Sequence, residues 1–138
     1  MAGTYQFLSA TPKLEYRDFD LSFRTNPVTG DVGVKDTDGS IKQSIKTLIL
    51  TNFYERPFNP TLGGQVTGAL FEIYTKELEI FLRKEIASLI KSLEPRVSLT
   101  EVLVGYNEDS DTVRSRIEYV VIGTLQTSSV EFIFERVR

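Results

Sequence analysis

The sequence predicts an α+β domain: a small antiparallel sheet, built from a C-terminal three-strand meander plus an N-terminal hairpin, packed against two main helices. Three observations predict it. From Thr75 to Arg96, apolar residues recur every three or four positions, the period of one helix face. After Pro95 the texture changes to three runs rich in β-branched and aromatic residues, separated by two turns. Ahead of the helices, two alternating runs flank Asn26-Pro27-Val28-Thr29-Gly30, in which proline fixes φ and glycine supplies a positive φ. Strands and helices that are grouped in this way belong to the α+β class.

Residues 1 to 18 read as an N-terminal arm, and residues 19 to 138 as a single domain. Tyr5, Phe7 and Leu8 show no clean period, and Pro12 interrupts the stretch. Phe19, Leu21 and Phe23 alternate with polar residues, and Val32 and Val34 alternate on the way back, which makes a hairpin. Asp36-Thr37-Asp38-Gly39 opens like a calcium loop, but Thr47 stands where the closing glutamate is needed, so these residues read as turn and cap. Ser40 or Asp38 is expected to cap a helix with Ile41, Ile45, Leu48 and Ile49 on one face, ending near Phe53. Residues 54 to 68 carry two prolines and three glycines and form no regular element; no strand precedes those glycines and no lysine follows them, so no phosphate loop is read there. Leu70, Phe71, Ile73 and Tyr74 read as a short helical turn leading into the long helix.

In that helix Leu78, Phe81, Leu82, Ile86, Leu89, Ile90 and Leu93 form the stripe, Thr75 is the N-cap, and Pro95 is the stop. Ile80 and Ala87 fall opposite the stripe, either as stray exposed aliphatics or as contacts to a second partner. Val97 to Tyr106 is the first strand of the meander, with a phase slip near Glu101-Val102 that predicts a bulge. Asn107 to Asp111 is a turn. Thr112 to Thr124 sets Val113, Ile117, Tyr119 and Val121 on one face and Arg114, Arg116 and Glu118 on the other. Ser129 to Val137 sets Val130, Phe132 and Phe134 against Ile133, Val137 and two glutamates.

Composition bounds the chemistry. The 138 residues include no cysteine and no histidine, which excludes thiolate catalysis, the usual structural zinc sites and Ser-His-Asp triads within this chain. No cofactor and no metal is expected. Net charge is −3, without the basic footprint of a nucleic-acid binder. No signal-peptide order opens the chain, and no apolar run approaches the ~18 residues that span a bilayer. A soluble protein is expected, with neither nucleic acid nor membrane as partner.

The final strand carries the functional expectation. A last meander strand lies at a sheet edge, and a long apolar edge is usually blunted by proline, lysine or a bulge. Ser129 to Val137 has no proline and no lysine, only Glu131 and Glu135. Either the arm or hairpin covers it, or a partner adds a strand beside Val130, Phe132 and Phe134.

Ser44 to Glu72, SIKTLILTNFYERPFNPTLGGQVTGALFE, with Glu94-Pro95-Arg96 between long helix and sheet, resembles the baseplate wedge and sheath-initiator family of contractile tails. That family includes the small wedge protein of T-even-like phages and the corresponding component of type VI secretion baseplates. The matching pieces are Glu55-Arg56-Pro57-Phe58, Pro60, Leu62-Gly63, Leu70-Phe71-Glu72 and the tripeptide, with Asp20 to Phe23 and Thr29 to Val32 upstream. The likeness covers most of the chain from about Phe19. Tyr54 stands where many relatives have glycine, and the arm precedes the shared part.

The resemblance implies a structural subunit in each of six baseplate wedges, located in the virion tail after synthesis in the cytoplasm of the producing cell. It implies binding to larger wedge subunits, neighbouring tail tube or hub proteins, and docking of the tail sheath protein by exchanged strands. Glu94, Pro95 and Arg96 would orient the sheet and touch wedge partners; the plainer reading is a helix stop with an exposed local ion pair. Arg56, beside Pro57 and Phe58, has two readings as well: a partner contact, or pairing with Glu55 or Glu72. A competing function is glycoside hydrolysis, since some relatives are labelled lysozyme-like and two carboxylates among Glu55, Glu72 and Glu94 would suffice. It needs one buried acid of raised pKa and a sugar cleft, and nothing in the sequence marks either. A generic scaffold or adaptor is the third reading.

Overall fold

The computed structural model describes residues 15–135. The arm from Met1 to Leu14 and the end of the last strand, Val137 included, lie outside the described residues. A two-residue strand β1 (Asp18–Phe19) pairs antiparallel with β2 (Val34–Lys35), and a further bridge joins Thr25 to Val32. The expected hairpin is therefore present but far shorter, and it forms its own two-stranded sheet beside the three-stranded one. Asp20, Asn26 and Asp31 spend their carboxylates and amide on neighbouring backbone N–H groups, so the hairpin is held by turn bonds more than by a ladder.

Helix α1 (Thr37–Leu50) starts and stops earlier than the sequence suggests. Asp36 stands at the N-cap in an extended conformation; Asp38 and Ser40 are already helical, and Asp38 bonds Lys42 and Ser128 instead of capping. Ile41, Ile45 and Ile49 point into the core with essentially no exposure. The short turn α2 (Val66–Ala69) sits ahead of the expected position. Val66, Ala69 and Leu70 are buried, whereas Phe71 and Ile73 face out.

Helix α3 (Lys76–Leu93) follows its apolar period. Thr75 accepts a hydrogen bond from the Leu78 N–H at 3.2 Å, and Glu77 and Glu79 in the first turn suit the positive end of the helix dipole. Leu78, Leu82, Ile86, Leu89 and Ile90 are buried, each such side chain contributing about 1.5–3 kcal/mol by leaving water. Phe81 departs from the expected stripe and is half-exposed; Ala87 packs against the core, while Ile80 remains exposed.

The antiparallel meander comprises β3 (Val97–Asn107), β4 (Thr112–Val121) and β5 (Thr127–Glu135), in that spatial order. The register slips between Leu99 and Glu101, where the phase break predicts a bulge. One face of the sheet lies against the helices through Val102, Val104, Val113, Ile117, Tyr119, Val121 and Phe132. The other face carries Leu103, Arg114, Arg116, Glu131 and Ile133. The layering is two helices on one side of one sheet, with the other face exposed.

Candidate partner-binding surface

The turn from α3 into β3 is built on an ion pair. Pro95 ends the helix and reverses the chain, bringing the Glu94 and Arg96 side chains together on one side. Arg96 Nε donates to Glu94 Oε1 at 2.6 Å and Nη2 to Oε2 at 2.7 Å. Its third nitrogen donates to Ser40 Oγ at 3.3 Å, and the guanidinium carbon stands 5.3 Å from the Tyr16 ring centroid. The Arg96 carbonyl accepts from the Ile122 N–H, stitching the turn to the end of β4. Glu94 is only 2% exposed. Burial pushes its carboxyl up, but hydrogen bonds from Arg96 and Ser44 and the Arg96 charge outweigh this and hold it below its ordinary 4.5. The expected exposed pair is therefore a buried clasp joining α3, α1 and the segment that enters β1. Sequence reasoning missed Ser40, Ser44 and Tyr16. The signal was Ser40 and Ser44 at i, i+4 spacing next to the isoleucine stripe, two small polar residues on a face that meets the core.

Residues 52 to 64 form the second feature, a closed loop. Asn52 pairs with Gly64 as an isolated parallel bridge, and the Gly64 N–H donates to the Thr51 carbonyl at 3.0 Å. Gly63 has φ +126°, and a Cβ there would meet the Thr51 carbonyl oxygen at 2.6 Å. Glu55 folds back to accept from both the Asn52 N–H and its amide, which holds its carboxyl below 4.5. Inside, the Tyr54 N–H reaches the Pro60 carbonyl, and Tyr54 itself takes φ 67°, the conformation glycine adopts without cost. These bonds close the loop, and Pro57 and Phe58 lie midway along it with Phe58 fully exposed. Arg56 lines a cavity of about 320 Å³ with Asp18, Ser44 and Leu93, while the Glu55 carboxylate is taken up by Asn52.

The third feature is the sheet edge. The Val121 N–H donates to the Gln126 carbonyl, and in an antiparallel ladder bonded and non-bonded pairs alternate. Ser128, Val130, Phe132 and Phe134 therefore bond to β4, while the backbone N–H and C=O groups of Ser129, Glu131, Ile133 and Glu135 point away from it. Among the described residues no strand receives them. The side chains of Val130, Phe132 and Phe134 face the helices, with Phe132 buried and the other two half-buried. The opposite edge, β3, is interrupted by its bulge. The clasp adjoins the other two features: Ser44 lines a cavity with Arg56 of the loop, and Tyr16 lines one with Thr124 and Gln126, which lead into β5.

Comparison with known proteins assigns the fold. A family model described as baseplate wedge protein gp25 matches residues 35–126. The baseplate wedge protein gp25 of Enterobacteria phage T4 is 32% identical over 83 residues, covering 60% of this chain and 63% of the phage protein. The match thus spans less than two thirds of that relative. A crystal structure of a protein designated a tail lysozyme, from Geobacter sulfurreducens, superposes with a TM-score of 0.67 at 22% identity, covering 73% of this chain and 92% of that one. A chain of the anti-feeding prophage baseplate superposes with a TM-score of 0.62 at 20% identity, covering 90% and 88%. Both share this α+β arrangement. The stretch the family model covers runs from β2 to the turn before β5 and holds the closed loop and the Glu94-Arg96 clasp; the chain belongs to the baseplate wedge protein gp25 family, structural components of contractile-tail baseplates.

Proposed function

We propose that this chain is a non-catalytic wedge subunit that starts sheath assembly, offering the β5 edge to a strand of the tail sheath protein while its loop and turn surfaces bind larger wedge subunits. The observation that carries the reading is the row of outward backbone groups at Ser129, Glu131, Ile133 and Glu135, on an edge without proline, lysine or bulge. Main-chain bonds from an added strand would satisfy these groups, and the alternating side chains would set specificity. The exposed Phe58 on its hydrogen-bonded loop suits an anchor that enters a pocket on a wedge partner. Tail tube or hub proteins are further neighbours in such an assembly, and the chain waits in the producing cell's cytoplasm before assembly.

The lysozyme-like alternative finds little support in the carboxylates. A general acid needs a raised pKa, whereas Glu94 and Glu55 are both held below their ordinary value, and Glu94 is locked by Arg96. Cell-wall hydrolysis by the pure protein, lost on Glu94→Gln or Glu72→Gln change, would reverse this reading. An electron cryo-microscopy image of the intact particle tests assembly: a sheath strand beside β5 in the first sheath ring is the expected result, and β5 remote from every sheath subunit would refute it.

A further inference from the structure

The outward backbone groups of β5 fall at Ser129, Glu131, Ile133 and Glu135, alternate positions centred on Phe132. Val130 and Phe134 flank that centre on the helix side and are half-buried, although their β4 partners Ile117 and Val113 are fully covered. The rings of Phe132 and Phe134 stack with centroids 6.2 Å apart. On the outer face Glu131 sits beside Arg116 of β4, and Ile133 beside Arg114. Ile133 is 57% exposed. Arg114 is exposed too and, among the described residues, joins no ion pair.

We propose that two copies of this chain pair through β5, antiparallel about a two-fold axis at Phe132, and that the dimer holds the edge until the sheath takes it. Such an interface is self-complementary, so each contact is made twice. The charge pattern selects the register. An axis at Glu131 sets the two Glu131 carboxylates face to face, and an axis at Ile133 sets Glu131 against Glu135; like charges directly opposite destabilise a ladder. An axis at Phe132 sets Glu131 against the second copy's Ile133, and Ser129 against its Glu135, so no glutamates face each other. An axis at Val130 also separates them, but leaves Phe132 facing only Ser128. With the axis at Phe132, Phe132 meets its own copy and Val130 meets Phe134, which covers the half-buried side chains. The second copy's Arg114 then lies in the row of Glu131, one strand beyond Ile133. Two strand spacings are about 10 Å, a span that an extended guanidinium and a carboxylate bridge together. The other edge, β3, is interrupted by its bulge and offers no such template. The self-pairing stands on this pattern alone. Its role as a placeholder rests on the strand-addition reading above.

A single pair of edge strands is a small interface of the weak class, with a dissociation constant on the order of 10 μM. Sedimentation equilibrium of the full chain should therefore show a mass that climbs from the 15.6 kDa of one copy toward twice that value as concentration rises. The outward amides of Glu131 and Ile133 should exchange about tenfold more slowly at high than at low concentration, with Val130 and Phe132 unchanged. The mass of one copy at every concentration overturns the proposal, whether the outward amides are then fast or are protected by the chain's own residues. Ile133→Lys and Ile133→Glu test the register at an exposed position outside the core. Each new side chain faces Glu131 twice per dimer, so lysine should give a dissociation constant about tenfold lower than glutamate at low salt. Equal constants overturn pairing about Phe132. Excess sheath protein should convert the dimer to a complex holding one copy. A dimer unmoved by sheath protein would keep the self-pairing and overturn the strand-addition reading, and a one-copy chain that still starts sheath on baseplates would do the reverse.

Discussion

Arg96 grips the Glu94 carboxylate with two nitrogens, at 2.6 and 2.7 Å, across the single residue Pro95. The carboxylate is almost wholly removed from water, so its charge depends on this partner. Replacing one member of a buried pair costs about 3–5 kcal/mol because the other is left unpaired, whereas replacing both costs far less. Arg96→Met should therefore destabilise the chain by roughly that amount in urea denaturation. Adding Glu94→Gln should restore most of the loss. Two single variants whose effects simply add would mean that the contact contributes no coupling.

The same pair sets an acid dependence. The folded state holds the Glu94 proton less readily than the unfolded chain does, because Arg96 and Ser44 outweigh burial. Its stabilising contribution is complete above about pH 4.5 and disappears as pH falls through the lower folded value. Asp38, bonded to Lys42 and Ser128, acts in the same direction below its ordinary 3.8. Thermal unfolding from pH 7 downward should show stability falling below about 4.5. Glu94→Gln should show a shallower fall, and parallel curves would remove Glu94 from the account.

The closed loop depends on Gly63. Its φ of +126° disfavours any side chain, and a Cβ would press on the carbonyl oxygens of Thr51 and Asn52, which are backbone and cannot turn aside. Gly63→Ala should cost about 2 kcal/mol or more and speed exchange of the Gly64 amide, which bonds Thr51. Unchanged stability and exchange would show that the loop closes by other means.

Phe58 gives the opposite profile. It is fully exposed, so Phe58→Ala should alter stability by less than about 0.5 kcal/mol. If the loop anchors a wedge subunit, the same change should weaken that association by roughly 2 kcal/mol or more in calorimetric titration. Full affinity in the variant would move the contact elsewhere.

Much of the fold was legible in the sequence because its signals are periodic. The α3 stripe, the Thr75 cap, the bulge between Leu99 and Glu101 and the inward set Val130, Phe132 and Phe134 all follow from spacing. What spacing could not convey is who meets whom. Glu and Arg two apart across a proline look like an exposed local pair until Ser40, Ser44 and Tyr16, brought in from distant segments, close over them. The start of α1 was misread because Asp38 and Ser40 resemble caps, whereas their side chains serve Lys42, Ser128 and Arg96. The hairpin runs read as longer strands because Phe19, Leu21 and Phe23 alternate, yet all three are exposed and no core fixes their register. Phe81 lies on the border of its stripe, where small angular differences decide exposure.

The proposed recruitment of the sheath by the outward backbone of β5 is tested most directly by a proline at an outward position. Glu131 and Ile133 point their N–H groups away from β4, so Glu131→Pro or Ile133→Pro removes a donor from the open edge without taking one from the β4–β5 ladder. Electron microscopy of baseplates carrying either variant should show complete wedges with no sheath, from a chain that still unfolds cooperatively. Sheath of normal length on those baseplates would contradict the account.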